Sequence, residues 1–322
     1  MRLNGIYLGD NHCKDNRRWA VVLAGGDGTR LRPVTKLIAG DERPKQFCRL
    51  LGDTTLFSQT RARVREIVPE DQTSFVLVRA HEPYFLSEVA DVEPERLFIQ
   101  PANKGTTAAI AFALFRLLHF DRDAIVGFFP SDHNFFDGER FLSAVETAYE
   151  DAENRRGRVI LVGAKAVRPD IEYGWIEPGR QVTGSLRPVY HVTRFWEKPP
   201  LPIAECLLEK GCLWNTFVMV GRVMSFIEML ALTAPEALET LAPVGSDAHF
   251  HLKGSRLTEL FRTLRGGDFS KQVLAAATER LAVCRMSDAG WTDLGTPPRL
   301  IAALQRLPEA RRGLHLLPRH CN

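Results

Sequence analysis

Short apolar runs alternate with longer helical segments along the first half of the chain. Runs of about four to eight apolar residues are typical of strands buried on both faces, and apolar residues at helical spacing are typical of helices that cover a sheet. The pattern predicts strands at 19–22, 74–78, 96–99, 124–129 and 159–162, and helices at 54–68, 105–120 and 139–151. This alternation predicts βαβ units, and therefore an α/β fold with a mixed, mainly parallel sheet flanked by helices.

The residue composition and the hydrophobic pattern change between residues 169 and 202. Glycines, prolines and short polar–apolar alternations dominate there, which predicts antiparallel strands and long loops inserted over the sheet edge. Beyond this stretch the pattern predicts helices at 202–210 and 223–241, a polar linker at 242–254, a further helix, and a strand near 281–283. On this basis the chain divides into a loose polar arm at 1–17, one domain at 18–300 and a tail at 301–322.

Composition and charge narrow the possible partners. The net charge of +3, with acids and bases interspersed, is too small to favour nucleic acid or a membrane surface. No apolar run approaches the roughly 20 residues that span a bilayer, and the first residues lack the apolar core of a secretory signal. The six scattered cysteines include no C-x-x-C pair, which favours reduced thiols and a cytoplasmic protein.

A glycine-rich loop follows the first predicted strand. Its residues are Leu23, Ala24, Gly25, Gly26, Asp27, Gly28, Thr29 and Arg30, and Lys45 comes a little further on. Glycine adopts positive φ and has no Cβ, so backbone N–H groups can approach a ligand, and cations beside them favour a polyphosphate. The spacing fits neither the P-loop nor the dinucleotide fingerprint, and a tight turn with an ordinary basic surface is the alternative.

Residues 23–33, LAGGDGTRLRP, and residues 43–47, RPKQF, together resemble the signature of the sugar-1-phosphate nucleotidyltransferases, and the wording PKQF resembles their mannose-1-phosphate guanylyltransferase branch. The resemblance implies a Rossmann-like fold of the nucleotide-diphospho-sugar transferase type. It also implies an enzyme that transfers a nucleotidyl group from a nucleoside triphosphate to a sugar 1-phosphate and releases pyrophosphate. Arg30 and Lys45 would be catalytic, and the nucleotide contacts would include Leu23, Ala24, Gly25, Gly26, Gly28 and Thr29.

Two aspartates are candidate metal ligands. Asp132 follows the apolar run 124–129 in Pro-Ser-Asp-His, and Asp293 lies in Gly-Trp-Thr-Asp-Leu-Gly. Taken alone, each fits a turn or a helix cap. Both segments resemble family motifs, and the resemblance implies that the two carboxylates hold Mg²⁺, which prefers hard oxygen ligands and commonly keeps waters and substrate phosphates around it.

The segment 100–107 resembles the part of the family that lies near the nucleobase. Pro101 and Thr106 match the family pattern, which makes them further candidate nucleotide contacts. Gln100, Lys104 and Gly105 depart from it, so the identity of the base stays open. The ordinary alternative is a helix N-terminus with a threonine cap.

Three motifs in the second half of the chain resemble the family's sugar side. They are Glu-Tyr-Gly-Trp-Ile at 172–176, Phe-Trp-Glu-Lys-Pro at 195–199 and Leu-Trp-Asn-Thr-Phe at 213–217. The resemblance implies substrate contacts from Gly174, Glu197, Lys198 and Asn215, with Lys198 at the sugar phosphate. Phe217 occupies the position where the family usually has glycine, which implies that the wall of the sugar site is tighter there.

The reaction that these motifs favour is GTP plus mannose 1-phosphate to GDP-mannose and pyrophosphate. A uridylyl- or thymidylyltransferase acting on glucose 1-phosphate is the alternative among enzymes, and a non-catalytic homologue that senses nucleotides or nucleotide sugars is the alternative outside them. Retention of Arg30, Lys45, Lys198 and both aspartates favours an enzyme. The expected partners are a nucleoside triphosphate and a sugar 1-phosphate, with a homodimer left open.

Overall fold

Nine strands form a single mixed sheet in the computed structural model, which describes residues 17–245 and 254–308. The strands are β1 (Arg18–Leu23), β2 (Thr73–Val78), β3 (Leu97–Gln100), β4 (Ile125–Pro130), β5 (Val159–Lys165), β6 (Gly174–Gln181), β7 (Val189–Glu197), β8 (Leu213–Arg222) and β9 (Leu281–Met286). Their order in the sheet is β3-β2-β1-β4-β8-β5-β9-β7-β6, and β6 also pairs with β8.

The direction of the strands divides the sheet into two parallel blocks. Strands β3, β2, β1 and β4 are mutually parallel, and β5 is parallel to β9. Between the blocks, β8 runs antiparallel to both β4 and β5, and β6 and β7 form an antiparallel pair at the far edge. The predicted mixed α/β sheet with an antiparallel insertion is therefore confirmed, although β8 makes it less parallel than expected.

Helices cover both faces of this sheet. They are α1 (Arg32–Ala39), α2 (Leu56–Arg65), α3 (Glu82–Phe85), α4 (Gly105–Leu117), α5 (Gly138–Asn154), α6 (Leu201–Glu209), α7 (Val223–Thr233), α8 (Pro235–Gly245), α9 (Gly254–Thr263) and α10 (Pro297–Gln305). The helix predicted at 223–241 is two helices, because Pro235 cannot donate a backbone hydrogen bond and Ala234 before it leaves the helical conformation.

The central strand β1 contributes to the hydrophobic core on both faces. Trp19 and Val21 pack into the cluster that contains α4 and α7, and Ala20 and Val22 pack into the cluster that contains α2 and α5. All four side chains are buried, as expected for a strand between two parallel neighbours. The loop that follows β1 therefore starts from a fixed position at the carboxyl edge of the sheet.

A third, smaller apolar cluster ties the end of the described chain to the start. Leu300, Ala303 and Leu304 of α10 pack there with Leu31 and Leu56. The boundary predicted at residue 300 falls inside this helix. Residues 1–16 of the arm predicted at 1–17 and residues 309–322 of the tail lie outside the described residues, so the division into arm, domain and tail stays a prediction. No helix in the described ranges is long and apolar enough to cross a membrane.

Candidate functional site

The glycine loop lies where the parallel strands β1, β2 and β4 end. Gly28 has a φ of 59°, and a Cβ at this position would lie 3.2 Å from the backbone N of Lys45. A side chain there would therefore be strained by its conformation and crowded by its neighbour. Gln46 stabilises the loop, because its Nε2 donates to the carbonyls of Ala24, at 3.0 Å, and Gly26, at 2.8 Å. The chain turns at Gly28 as predicted, and Gly25 and Gly28 permit close packing, whereas a Cβ on Gly26 would have no neighbour within 4 Å.

Lys45 connects the two candidate metal ligands. Its Nζ lies 3.1 Å from Oδ2 of Asp132 and donates to the backbone oxygen of Asp293 at 2.6 Å. The segments of the two aspartates also pair directly, with N–O distances of 2.9 and 3.0 Å between Asn134 and Thr292. Both carboxylates line one cavity of about 250 Å³ together with Lys45. Residues separated widely in sequence thus meet at one point.

Burial and neighbouring charges shift the pKa values of Asp132 and His133. Burial opposes ionisation of Asp132, but the charge of Lys45 and the hydrogen bonds to the carboxylate outweigh it and hold the pKa of this carboxyl below its ordinary value. Burial lowers the pKa of His133, against the opposing effect of Asp132. Trp291 Nε1 donates to His133 Nδ1 at 3.3 Å, which leaves the Nε2 side of the ring towards Asp132. At neutral pH we expect an ionised Asp132 beside a neutral His133.

Arg299 holds the second aspartate, and sequence reasoning missed it. Its Nη1 donates to both carboxylate oxygens of Asp293 at 3.0 Å, and its Nη2 donates to Asp170 at 2.6 Å and lies 3.2 Å from Glu172. Glu172 in turn pairs with Arg30 of the glycine loop at 3.2 Å. A chain of charges therefore runs from the glycine loop to Asp293. The sequence signal is weak, because Arg299 sits among the first residues of an ordinary helix.

The four predicted sugar contacts lie together. Gly174, Glu197, Lys198 and Asn215 all line a larger cleft of about 410 Å³, which Asp132 and Asp293 also line. Glu197 Oε1 lies 2.9 Å from Lys198 Nζ, yet burial raises the pKa of Glu197 above its ordinary value in spite of this partner. A Cβ on Gly174 would lie 2.9 Å from Glu197 Oε2, so this glycine is needed for the approach of the carboxylate.

Backbone strain is concentrated in the predicted motifs. In the described ranges, the residues other than glycine with positive φ are Lys198 at 51°, Phe217 at 60° and Leu294 at 47°. Each such conformation costs of order 1–3 kcal/mol and persists only where the surroundings impose it, commonly at functional sites. The value at Phe217 also gives a physical reason for glycine at this position in the family pattern.

The side of the cleft that the sequence predicts to lie near the nucleobase is lined by Gly25, Gly26, Gln100, Asn103 and Thr106 among others. Thr106 also caps a neighbouring turn, because its Oγ1 accepts from the backbone N of Phe269 at 2.8 Å. Asp27, to which sequence reasoning gave no role, fastens the loop to this side through Asn103 Nδ2 at 2.9 Å and His81 Nε2 at 3.1 Å.

Not every predicted contact reaches the cleft. Leu23 lines the larger cavity, and Thr29 and Arg30 line the smaller one. Within the described ranges, Ala24 and Pro101 line neither. Ala24 is buried, and its backbone N donates to Val76 O at 2.9 Å, so its place in the structure is that of a link between β1 and β2.

Known proteins resemble this chain in sequence. A family described as nucleotidyl transferases matches residues 19–310. The chain is 30% identical over 288 residues to the alginate biosynthesis protein AlgA of Pseudomonas fluorescens, covering 85% of this chain and 56% of that protein. It is 26% identical over 285 residues to a mannose-1-phosphate guanylyltransferase of Escherichia coli, covering 85% and 59%. It thus spans less than two thirds of the length of these relatives.

A solved structure extends the likeness to the fold. The Thermus thermophilus protein described as a mannose-1-phosphate geranyltransferase superposes with a TM-score of 0.77 at 26% identity, covering 91% of this chain and 81% of that one. Because the family match spans residues 19–310 and so contains the glycine loop, Lys45 and both aspartates, this chain belongs to the nucleotidyl transferase family.

Proposed function

We propose that this protein transfers the guanylyl group of GTP to mannose 1-phosphate, forming GDP-mannose and pyrophosphate. The observation that carries the proposal is the meeting of Lys45, Asp132 and Asp293 between the glycine loop and the Glu197–Lys198 pair. The names of the relatives support guanylyl transfer to mannose 1-phosphate.

The glycine loop is the proposed triphosphate site. The residues assigned to it are Gly25, Gly26, Gly28 and Thr29, with Leu23 and Thr106 towards the nucleoside. Arg30 would leave Glu172, to which it is bound at 3.2 Å through an exposed ion pair of small net stability, and bind the phosphates. The exchange needs little energy because the pair is solvated.

The opposite wall is the proposed sugar phosphate site. Lys198 would bind the phosphate, while Glu197, Asn215 and the backbone of Gly174 would bind sugar hydroxyls. A phosphate oxygen of the sugar attacks the α-phosphorus of the triphosphate, the α–β bond breaks, and pyrophosphate leaves with the bond electrons. The nucleophile is already an anion, so catalysis rests on positioning and on charge, and Lys45 would stabilise charge near the α-phosphate.

Asp132 and Asp293 would hold Mg²⁺. No group of three or more histidine, cysteine or acidic side chains suited to a metal occurs in the described ranges, so a site built by the protein alone is not expected there. Two carboxylates on one cavity still fit Mg²⁺, which is commonly bound by one or two carboxylates plus substrate phosphates. When bound, the ion would neutralise phosphate charge.

Gln100 favours a second candidate. It is 1% exposed, lines the base side of the cleft, and its Oε1 has no hydrogen-bond partner among the described residues. A carboxamide offers one acceptor and one donor group, which complements the N3–H and carbonyl of uracil or thymine, whereas a carboxylate would complement the adjacent donors of guanine. The alternative is therefore uridylyl or thymidylyl transfer to glucose 1-phosphate.

One panel of assays separates these proposals. Pyrophosphate release is measured with GTP, ATP, UTP and dTTP, each paired with mannose 1-phosphate and with glucose 1-phosphate, in the presence of Mg²⁺. The highest kcat/KM with GTP and mannose 1-phosphate supports the first proposal. A highest value with UTP or dTTP and glucose 1-phosphate overturns it in favour of the second, and binding without release from any pair indicates a sensor.

A further inference from the structure

A second cavity lies at the carboxyl ends of the parallel strands β5 and β9. It has a volume of about 310 Å³, and its lining includes Lys165, the last residue of β5, and Met286, the last residue of β9. Ligands of open α/β sheets bind outside the carboxyl ends of parallel strands. The cleft described above occupies this position for the first parallel block, and the second cavity occupies it for the second block.

The charge of this cavity is strongly positive. Four cationic side chains line it, from Lys165, Arg168, Arg299 and Arg306, against one acidic side chain, from Asp288. Arg168 is paired with Asp170, and Arg299 is held by the acids described above. Lys165 and Arg306 are exposed and have no ion pair with any residue in the described ranges, although the Arg306 guanidinium lies 4.3 Å from the centroid of the Phe136 ring. Two positive charges without an acidic partner are therefore available to a ligand.

Aromatic rings form the wall between the two cavities. Tyr173 and Trp291 line both, with ring centroids 4.8 Å apart, and Trp214 lies 5.0 Å from Tyr173 on the side of the second cavity. Trp214 is buried, and its Nε1 has no acceptor among the described residues. The three rings are buried, and Arg299 and Arg168 already lie over Tyr173 and Trp214, 4.1 and 5.3 Å from the ring centroids. The wall therefore offers a ligand ring an apolar edge and one hydrogen-bond donor, Trp214 Nε1.

We propose that this cavity is a second ligand site, which binds a phosphate monoester carried on a sugar or nucleoside ring. A phosphate monoester carries close to two negative charges at neutral pH, which matches the two unpaired cations. The volume lies at the lower end of the range for small-molecule sites, which suits one ring with one phosphate. The proposal does not depend on the reaction assigned to the main cleft.

The test is a binding titration of the full chain, followed by calorimetry and by the fluorescence of Trp214 and Trp291 in the cavity wall. The probes are glucose 6-phosphate, GMP and inorganic phosphate. The variants are Lys165→Ala with Arg306→Ala, Lys198→Ala in the main cleft, and a control with Lys210→Ala and Arg262→Ala, whose exposed ion pairs lie outside both cavities.

We expect at least one of the two esters to bind the wild type, the control and Lys198→Ala alike, and to bind the Lys165/Arg306 variant about tenfold more weakly or worse. Preference for glucose 6-phosphate or for GMP identifies the ring. The proposal is overturned if the Lys165/Arg306 variant binds the esters with the stoichiometry and affinity of the wild type, if the binding that this variant lacks is also lost in Lys198→Ala, or if the wild type binds neither ester. Inorganic phosphate binding as tightly as both esters overturns the role of the aromatic wall.

Discussion

Lys45 has its charge almost fully enclosed by partners. Its side chain is 9% exposed, with Asp132 at 3.1 Å and the backbone oxygens of Asp293 and Leu294 at 2.6 and 3.2 Å. A buried cation is stable only with such compensation. Because Asp132 and Asp293 are themselves candidate site residues, the ammonium is held at the point where they and the glycine loop come together.

Lys45→Ala should lower kcat for pyrophosphate release by about 10²–10³, the usual effect of removing one positioned donor to transition-state charge. Steady-state assays with the preferred substrate pair measure it. Lys36→Ala is the matched control, because Lys36 is an exposed lysine on α1 paired only with Glu42 in the described ranges. A Lys45→Ala enzyme with a rate near that of the control would contradict the assignment.

The ionised carboxylate of Glu197 is expected to lower the stability of the fold at neutral pH. Burial raises its pKa above the ordinary value. A carboxyl with a raised folded-state pKa stabilises the protein fully only below its unfolded pKa, and this stability is lost as the pH rises through the folded value. Glu197→Gln is neutral at every pH, so its Tm should exceed that of the wild type at pH 7.

The Tm difference for Glu197→Gln should shrink as the pH falls towards 4, where the wild-type carboxyl is also neutral. Thermal melts across this range provide the measurement, and KM for the sugar phosphate at pH 7 should rise in the same variant. A Tm at pH 7 below that of the wild type would show that the Lys198 ion pair outweighs the cost of burial.

At the scale of elements, α10 contributes more than packing. It brings Arg299 against Asp170, Glu172 and Asp293, and places the guanidinium 4.1 Å from the centroid of the Tyr173 ring. Arg299 and Asp170 have side chains less than 10% exposed. Removing one member of a buried ionic group leaves its partners uncompensated, and the group as a whole fixes the carboxylate of Asp293.

Arg299→Ala should therefore destabilise the fold by about 3 kcal/mol, in the range found when one partner of a buried ion pair is removed. Chemical denaturation measures the change. Arg262→Ala on α9 is the control, since its pair with Glu259 is exposed and should be worth little. Equal effects of the two substitutions would mean that the Arg299 cluster is solvated rather than structural.

The sequence predicted elements well where the signal is local. The β1 strand and its glycine loop follow from an apolar run and three glycines, whereas Asp132, which alone fits a turn or a cap, was singled out by the resemblance of its motif to the family pattern. Arg299 could not be found in this way, because its contact with Asp170 spans 129 positions and depends on how α10 packs. The position of Ala24 could not be predicted either, because its motif matches the family pattern but its side chain is buried by the packing of the sheet.

At the scale of the whole molecule, the sheet places the glycine loop and the predicted sugar contacts in different regions. The glycine loop follows β1 in the first parallel block, while Gly174, Glu197 and Asn215 lie on β6, β7 and β8. The antiparallel pairing of β4 with β8 joins the two regions. Asp132 after β4 and Asp293 after β9 close the gap between them, so two substrates bound on separate walls would meet at the aspartates.

This separation predicts that the two substrates can be weakened independently. Lys198→Ala should raise KM for the sugar phosphate about tenfold or more, the scale of one charge-assisted contact, and leave KM for the nucleotide nearly unchanged. Arg30→Ala should raise KM for the nucleotide and leave KM for the sugar phosphate nearly unchanged. Each KM is measured with the other substrate saturating. If both variants raised both constants equally, Lys198 and Arg30 would share one ligand, and the sugar phosphate would have to bind on the same wall as the triphosphate.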